Sequence, residues 1–410
     1  MPAFSMTGPL RILLLCNSYP PEIGAAPLRM QGLAQLLRDA GYEVAVLSGM
    51  PNYPTGAVFP DYVGKGLFTE QVGGITVHRM PFTPSHSPRR RIRTGSLLSL
   101  SGALLRYGRK VIKAFQPDWM IISSPPLPLA LCGAWLARRS RIPFLLNISD
   151  LWPLTARELG ALRAGPIYQS LQRAESWLFR QAKGHMGQSA EILSYLRQRH
   201  PAFKPQFLYR NLPATHPALP EPFVSDRRPR QMVYAGLIGP VQGILKLVQD
   251  VDFASHRLVL HVYGDGADRK ALEAFTIQHP ERGIIYKGLL PAGEMFRKLP
   301  QYDFALSSLR TTIYGAVPSK IFSALSAALP ITFLGTGEGA QLLQEHQLGW
   351  ALPPGDVRAL ENHLSVLADL SDAALIGMRQ HIAAVNATHF NPKQQQEAFL
   401  AFFRTLTGRS

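Results

Sequence analysis

The chain has 410 residues, of which 46% are hydrophobic and 17% are charged, which excludes a disordered chain and indicates a globular protein. Its length allows two or three domains with sizeable cores. Its only cysteines, Cys16 and Cys132, lie in apolar segments, which excludes a disulfide scaffold and favours a reduced, cytoplasmic setting.

The beginning of the chain lacks the features of a targeting segment. Residues 1–9 contain no basic stretch, and the apolar run at 12–16 is too short for a signal peptide or a membrane span. We expect residues 1–9 to be a disordered lead-in. Elsewhere no run reaches about eighteen uninterrupted apolar residues, so the sequence predicts a soluble or membrane-peripheral protein.

Basic residues outnumber acidic ones by 43 to 27, which gives a net charge of +16 and predicts acidic partners. Residues 71–117 contain no acidic residue, and the basic residues that accumulate there are Arg79, Arg89, Arg90, Arg91, Arg93, Arg106, Arg109, Lys110 and Lys113. The apolar residues at helical spacing in the same stretch are Leu97, Leu100, Leu104, Tyr107, Val111 and Phe115, with Leu98, Leu105 and Ile112 widening the stripe.

This pattern predicts an amphipathic helix with a basic flank, and two interpretations stay open. The apolar stripe could face the core while the basic side is solvated. Alternatively, the helix around 89–113 could rest on the anionic headgroups of a membrane. No aromatic-interleaved basic module is present, so nucleic acid is not an expected partner.

The first half alternates strands with helices. Strands are predicted at 11–16, 43–47, 75–79, 119–123 and 143–148, and helices at 28–40, in the basic stretch, and at 127–138, 165–180 and 190–199. This order predicts an α/β fold with a doubly wound parallel sheet. Ligands bind such sheets at the carboxyl ends of the strands, so Glu22 and Gly24, in the loop after the first strand, are candidate substrate contacts.

A proline-rich segment at 211–230 predicts an interdomain linker. After it the alternation resumes, with strands at 231–235, 257–263, 284–286, 304–306 and 330–334 and helices from Val357 onward, the last one beginning at Pro392. We therefore expect a first domain at 1–210 and a second at 231–390. We expect residues 391–410 to form a terminal helix. Whether this helix crosses back to the first domain stays open.

A short helix beginning at Pro318 and Ser319 carries Lys320 in its first turn. The free N–H groups of such a helix start, its dipole and the lysine charge together suit a phosphate group. The glycine-spaced stretch 335–339 follows the next strand and could cradle a second part of a diphosphate.

At this point the chain resembles the glycosyltransferases of GT-B architecture and family 4, and among them the fucosamine-transferase-like enzymes of capsule and O-antigen assembly. The resemblance covers nearly the whole chain and depends on the order of short motifs rather than on any single one. These motifs are Tyr19-Pro20-Pro21-Glu22 with Gly24, Asp150-Leu151-Trp152-Pro153, Arg210-Asn211, Tyr234-Ala235-Gly236 with Gln242-Gly243, Tyr263-Gly264-Asp265-Gly266, and Pro318-Ser319-Lys320.

The resemblance implies two Rossmann-like domains facing a cleft, an acceptor bound mainly by the first and a nucleotide-sugar donor bound mainly by the second. It implies retention of anomeric configuration, while UDP and GDP stay open as the donor nucleotide. Since preorganised N–H groups and cations can stabilise the departing diphosphate, we expect no metal and no cofactor. We therefore expect a cytoplasmic enzyme, peripheral on the inner membrane face, that acts on a lipid-linked acceptor in surface-polysaccharide synthesis.

The resemblance makes Asp150 the candidate catalytic residue, because it occupies the place of a polar residue that faces the sugar. The candidate substrate contacts are Gly24, Glu22, Trp152, Asn211, Gly236, Gln242, Gly264, Asp265, Pro318, Ser319, Lys320 and Glu338.

The sequence also departs from the family pattern. Leu237 and Gln242 stand where relatives commonly have an arginine and a lysine, and Ser323 stands in place of a glutamate that binds ribose or sugar hydroxyls. Ala328 replaces a glycine, and Leu154 replaces an acidic residue. These departures keep two alternatives open, a nucleotide-sugar epimerase of the same architecture and a catalytically silent scaffold of a transferase complex.

Several candidate residues also have purely structural interpretations. Asp150 could be a helix N-cap or turn residue. Trp152 could be a packed core aromatic, Asp265 part of an ordinary strand-to-helix turn, and Glu22 a solvated side chain.

Overall fold

We describe a computed structural model of the chain. The structure describes residues 8–53, 55–85, 87, 89–199, 204–213, 219 and 228–408, without the side chains of Arg90 and Ala292. The chain divides into two compact units, Met1–Arg210 with Gln396–Ser410, and Asn211–Gln395. Residues 1–7 of the predicted lead-in and residues 214–218 and 220–227 of the predicted linker lie outside the described residues.

The first unit is an α/β domain. Its strands are β1 (Arg11–Leu15), β2 (Glu43–Gly49), β3 (Phe68–Val72), β4 (Ile75–Met80), β5 (Trp119–Ser124), β6 (Phe144–Ile148), β7 (Gly184–Gly187) and β8 (Gln206–Leu208). Its helices are α1 (Ala25–Asp39), α2 (Arg90–Phe115), α3 (Leu127–Arg139), α4 (Leu154–Glu158), α5 (Pro166–Gln181) and α6 (Ala190–Arg199).

The sheet of this unit has the strand order β3-β4-β2-β1-β5-β6-β7-β8, and every pairing except β3 with β4 is parallel. The central strand β1 pairs with β2 and β5, and its apolar residues from Ile12 to Leu15 are fully buried. The uninterrupted apolar run therefore forms a strand buried on both faces, as predicted.

The second unit is also an α/β domain. Its strands are β9 (Arg230–Ala235), β10 (Leu258–Tyr263), β11 (Ile284–Tyr286), β12 (Phe304–Ser308), β13 (Ile331–Leu334) and β14 (Gly349–Leu352). Its helices are α7 (Ile244–Asp250), α8 (Arg269–Gln278), α9 (Ala292–Lys298), α10 (Ser319–Ser326), α11 (Glu338–Glu345), α12 (Val357–Asp369) and α13 (Asp372–His389). Its sheet, in the order β11-β10-β9-β12-β13-β14, is parallel throughout.

The last helix, α14 (Pro392–Thr407), begins at the predicted proline. Its residues from Gln396 belong to the first unit, where Phe399 and Phe403 are fully buried in the apolar core. The side chain of Trp119 packs edge-on against Phe403 at a centroid distance of 6.0 Å. The end of the chain thus completes the core of the first unit.

The predicted α/β class with two parallel sheets is confirmed. The differences concern short or half-exposed elements. Strand β3 was not predicted, because it lies antiparallel at the sheet edge with a half-exposed, mostly polar sequence. The short strands β7 and β14 contain glycines, which weaken the sequence signal of a strand.

The basic stretch forms α2, and its apolar stripe is only partly buried. Leu98 and Leu105, which were expected to widen the stripe, are 59% and 41% exposed, whereas Leu100 and Leu104 are buried. Arg79, counted with the basic stretch, is fully buried on β4. Among the described residues, no helix combines the length and the apolar character needed to cross a membrane.

Candidate functional site

Glu22 holds the loop between β1 and α1 in shape and is 2% exposed. Its Oε1 atom accepts hydrogen bonds from the backbone N–H groups of Asn52 and Tyr53, both at 3.0 Å, and its Oε2 atom from that of Tyr19 at 3.1 Å. Burial raises the pKa of Glu22, and these backbone hydrogen bonds oppose the rise. The alternative of a solvated Glu22 is therefore wrong, while its contact with a substrate stays a prediction.

Arg79 fixes the same loop from β4. Its guanidinium donates to the Glu70 carboxylate at 2.8 Å and to the carbonyl oxygens of Tyr19, at 3.4 Å, and Pro20. The Tyr-Pro-Pro-Glu motif is thus shaped by two buried charges whose hydrogen bonds stay within the first unit.

A cavity of about 380 Å³ lies at the N-terminal end of α1, within the size range of small-molecule sites. Gly24 caps this helix with a φ of 152°, which favours glycine, and no side chain caps the helix. Polar, cationic and apolar side chains share the wall, among them Asn17, Ser18, Ile23, Tyr53, Phe82, Ser85, Arg93, Ser96, Leu97 and Leu100. Gly24 therefore lines a cavity whose wall suits a polar ring such as a sugar.

Asp150 follows β6 and is half-buried. Burial raises the pKa of Asp150 to about 6, and the positive charge of Arg29 opposes the rise. The guanidinium of Arg29, on α1, donates to Ser149 Oγ at 3.2 Å and to the carbonyl oxygen of Tyr209 at 3.1 Å. The pKa of Asp150 therefore depends on a cation that sequence reasoning missed, although Arg29 follows Gly24 in the first turns of α1.

The alternative that Asp150 is a helix N-cap is wrong, because α4 has Pro153 at that position. Trp152 lies half-buried in the turn before α4. Asn211 is the first residue of the second unit and is half-buried.

In the second unit, the loops after β9 and β10 are in direct backbone contact. The N–H groups of Gly236 and Ile238 donate to the carbonyl oxygens of Tyr263 and Asp265, both at 2.9 Å. A Cβ atom at Gly264 would lie 1.8 Å from the carbonyl oxygen of Gly236. Gly264 is therefore required for these two loops to stack.

Lys320, in the first turn of α10, lies against Gly236. A Cβ atom at Gly236 would lie 2.3 Å from Lys320 Cε and 2.6 Å from its Nζ, so the glycine leaves room for the lysine. The Nζ atom lies 5.0 Å from the centroid of the Tyr234 ring, a cation–π contact. Burial lowers the pKa of Lys320 to about 8.

The start of α10 has further groups to offer an anion. Pro318 is the N-cap and Ser319 the first helical residue, and no side chain caps the helix. No described residue forms an ion pair or a hydrogen bond with the Lys320 ammonium. An uncapped helix start therefore lies beside an unpaired cation.

Arg310, at the carboxyl end of β12, has the same relation to Gly243. A Cβ atom at Gly243, where φ is 66°, would lie 2.2 Å from Arg310 Cγ and 2.6 Å from its Cδ. Arg310 is exposed, and its guanidinium has no ion pair with any described residue. Sequence reasoning missed Arg310; a basic residue just after a parallel strand was the available signal.

Gln242 and Asp265 are placed differently. Gln242 is half-buried, and its Oε1 atom is buried without a hydrogen-bond partner in the described part of the chain. The Asp265 carboxylate accepts a hydrogen bond from the N–H of Gly266 at 2.8 Å and forms an ion pair with Arg269 at 3.2 Å. Gln242 thus has free acceptor capacity, whereas Asp265 also stabilises its own turn.

The glycines of the 335–339 loop make room for Phe333, since a Cβ atom would lie 2.1 Å from its ring at Gly335 and 2.9 Å at Gly339. Glu338 begins α11 and is buried. The Ser323 hydroxyl donates to the carbonyl oxygen of Ser319 at 3.3 Å. The diphosphate cradle proposed for this loop stays a prediction. In the described ranges, no group of three His, Cys, Asp or Glu side chains is arranged to hold a metal ion.

The first unit matches a known domain family over most of its length. Residues 24–207 match the Glycosyl transferase 4-like domain family. A curated relative, the probable glycosyltransferase WbjE of Pseudomonas aeruginosa, is 23% identical over 375 residues, which cover 86% of this chain and 90% of the relative.

Solved structures with the same architecture include sucrose-phosphate synthase from Thermosynechococcus elongatus, with a TM-score of 0.69 and 15% identity over 98% of this chain and 100% of that one. They also include Anabaena HepE in complex with UDP and glucose, with a TM-score of 0.68 and 15% identity over 97% of this chain and 100% of that one. At this identity the two likenesses show the fold alone, and they confirm the two-domain GT-B fold.

Proposed function

We propose that this glycosyltransferase of the GT-B fold moves a sugar from a nucleotide-sugar donor to a lipid-linked acceptor, with retention of anomeric configuration, in surface-polysaccharide synthesis. The observation that carries the proposal is the unpaired Lys320 ammonium beside the uncapped start of α10 and the stacked glycine loops. Such a group favours an anion, because a bound diphosphate would compensate its burial.

In the proposed reaction, the bond between the anomeric carbon and the diphosphate oxygen breaks, and its electron pair stays on the departing nucleoside diphosphate. The acceptor oxygen forms the new bond on the same face of the sugar, and its proton passes to the departing diphosphate oxygen. Lys320, Arg310 and the first N–H groups of α10 would stabilise the developing negative charge. Gln242 would accept a hydrogen bond from the donor through its unpaired Oε1 atom.

The first unit would bind the acceptor. The cavity beside Gly24 offers hydroxyl and amide groups for sugar hydroxyls and two aromatic rings, Tyr53 and Phe82. Asp150, ionised above a pH of about 6, would accept a hydrogen bond from the attacking hydroxyl. The basic flank of α2 would bind the anionic membrane in which the acceptor resides.

Two similar proteins support the class of donor and the class of enzyme in this proposal. The HepE structure contains UDP and glucose, which supports a nucleotide sugar as donor. WbjE is named as a probable glycosyltransferase. The choice of an amino sugar, as in the fucosamine transferases, is part of the proposal and follows from the resemblance of the sequence motifs alone.

The proposal is tested by thermal unfolding with a panel of nucleoside diphosphates and nucleotide sugars, followed by radiolabelled transfer to lipid extracts. A ligand at about one hundred times its dissociation constant should stabilise the protein by about 2.7 kcal/mol. Stabilisation by one nucleotide and label in the lipid fraction would support the transferase. Conversion of the donor without an acceptor would indicate the epimerase, and no stabilisation by any nucleotide would favour the scaffold.

Arg29 provides a second test, as a positioning residue for Asp150. Replacing Arg29 by Met removes the charge that lowers the pKa of Asp150, so the acid limb of the kcat/KM profile should move to higher pH. Arg29→Lys, which keeps the charge, should leave the limb near pH 6. If the acid limb of the kcat/KM profile were unchanged in Arg29→Met, Asp150 would not be the group whose ionisation produces that limb.

A further inference from the structure

The cavity at the start of α1 contains a positive charge that the protein does not compensate. Among the described residues that line it, the charged ones are Glu22 and Arg93. The Glu22 carboxylate is 2% exposed and already accepts hydrogen bonds from three backbone N–H groups. The exposed Arg93 side chain forms no ion pair and no hydrogen bond with any described residue. The guanidinium of Arg93 is therefore available to a ligand in the cavity.

The start of α1 adds hydrogen-bond donors to the same cavity. Ala25 and Ala26, the first two residues of this 15-residue helix, line the cavity, and Pro27, the third, has no N–H group. No described side chain caps the helix, and its first turn contains no acidic residue. The N–H groups of Ala25 and Ala26 are therefore free for a ligand, at the end of the helix where its dipole favours negative charge.

Ser96 supplies a further donor from α2. Its side chain lines the cavity and is 9% exposed. The Ser96 Oγ atom accepts a hydrogen bond from the N–H group of Ser85 at 3.1 Å, while its own hydrogen has no acceptor within the described ranges. A buried hydroxyl with an unused donor needs an acceptor, which a ligand oxygen in the cavity would supply.

These groups favour a negatively charged ligand over a neutral one. The hydroxyl groups of a neutral sugar both donate and accept hydrogen bonds, whereas the oxygens of an ionised carboxylate only accept. The guanidinium, the hydroxyl of Ser96 and the two N–H groups all donate. One cation matches the single charge of a carboxylate, and its planar guanidinium can bind both carboxylate oxygens. A diphosphate carries more charge, and the loops of the second unit offer it two cations, Lys320 and Arg310.

We propose that the acceptor sugar carries a carboxylate, and that Arg93, Ser96 and the start of α1 bind this group. The inference rests on the proposed function, in which the cavity holds the acceptor, and it adds the chemical class of that acceptor, an acidic sugar such as a uronic acid. Ala25 and Arg29 lie four residues apart on α1, about 6 Å along the helix axis. The charge of Arg29 acts on Asp150. One sugar ring can therefore place its carboxylate at the start of α1 and a hydroxyl group towards Asp150.

The test is saturation-transfer NMR of the full-length protein with methyl β-glucuronide and methyl β-galacturonide, each paired with its neutral glycoside. The parent protein should bind at least one uronide at least about tenfold more tightly than its neutral partner, because charged hydrogen bonds are the stronger ones. Arg93→Gln should abolish this preference and leave the affinity for the neutral glycoside unchanged. The matched control Arg91→Gln changes an exposed residue of the same helix, outside the cavity lining, and should keep the preference. Absence of a preference in the parent protein, or an undiminished one in Arg93→Gln, would overturn the inference.

A second variant, Ala25→Pro, tests the helix start by itself. Proline is favoured at the first position of a helix, so this change removes one free N–H group while α1 keeps its first turn. It should weaken uronide binding about threefold or more and leave the neutral glycoside unaffected. A uronide affinity equal to that of the parent protein would contradict a carboxylate at the helix start.

Competition experiments distinguish the carboxylate from a phosphate. Glucose 1-phosphate should displace the bound uronide poorly, and saturating UDP, GDP or ADP should not displace it, because the proposed nucleotide site lies in the second unit. Tighter binding of glucose 1-phosphate would assign the site to a phosphate, and displacement by a nucleoside diphosphate would assign it to the donor. Either result would overturn the inference.

The outcomes separate this inference from the proposed function. Saturation transfer requires no catalysis, so selective uronide binding would stand even if no sugar were transferred to lipid extracts. Conversely, transfer to a lipid-linked acceptor that contains only neutral sugars, at the same rate in the parent protein and in Arg93→Gln, would support the transferase and contradict the acidic acceptor.

Discussion

The two units differ in whether the charged side chains near the carboxyl ends of their strands have partners within the protein. In the first unit, Glu22 and Arg79 are buried, and their hydrogen bonds hold the loop after β1. In the second unit, Lys320 and Arg310 lie against Gly236 and Gly243 and form no ion pair with a described residue. Both units have the same architecture, but among the residues that the structure describes only the second unit holds unpaired cations against its loop glycines.

The difference separates structural charges from those available to a ligand. A buried charge destabilises the fold unless it is paired or hydrogen-bonded, and the first unit meets this requirement internally. Lys320 in the second unit has no such partner among the described residues, and its burial lowers its pKa to about 8. A perturbed and unpaired group of this kind is a candidate functional group rather than a structural one.

The largest expected effect concerns Glu22. Glu22→Ala would leave three backbone N–H groups without their acceptor and should lower the free energy of unfolding by about 3 kcal/mol or more, measured by urea denaturation. Glu43→Ala, an exposed residue of the same unit, should change it by less than about 0.5 kcal/mol. If Glu22→Ala instead abolished transfer at unchanged stability, Glu22 would be a substrate ligand.

Lys320 should show the opposite behaviour. Lys320→Ala should weaken nucleoside diphosphate binding about tenfold to hundredfold, since charged hydrogen bonds contribute about 1.5–3 kcal/mol, and should not reduce stability. Gly236→Ala should weaken binding as well, because its Cβ atom would displace the Lys320 ammonium. The control Lys393→Ala, at an exposed position of α14, should bind normally. An unchanged dissociation constant in Lys320→Ala would exclude this lysine from the site.

Arg310 should have the smallest effect. Arg310→Ala should weaken nucleoside diphosphate binding by about 1 kcal/mol or less at low salt, because an exposed charge is screened by water and ions. The difference from the parent protein should shrink as salt is added. Calorimetric titration at two salt concentrations measures both effects, and equal affinities at low salt would show that Gly243 accommodates a cation with no role in binding.

Much of the fold was predictable from the sequence, because buried parallel strands such as β1 and β5 contain runs of four consecutive apolar residues. The amphipathic pattern also predicted the existence of α2. It did not predict the exposure of Leu98 and Leu105, since the width of a buried stripe depends on which neighbours cover it.

The candidate site was less predictable. The lysine of α10 was identified because a helix start has recognisable chemistry, but its contact with Gly236 joins distant parts of the chain. The same limit applies to Arg29 and Arg310, whose partners are brought near only by the folded sheets. The sequence therefore identified candidate residues in the loops that follow strands. It did not identify Arg29 and Arg310, which only the folded chain brings close to those loops.

The most direct test of the account is calorimetric titration of UDP, GDP and ADP between about pH 6.5 and 9.5, with the parent protein and Lys320→Ala. Because the pKa of Lys320 is lowered to about 8, its ammonium loses its proton as the pH rises through that value. We expect one nucleotide to bind the parent protein tightly below pH 8 and progressively more weakly above it, and Lys320→Ala to bind it weakly at every pH. Superimposable pH profiles for the two proteins, or no binding of any nucleoside diphosphate, would contradict it.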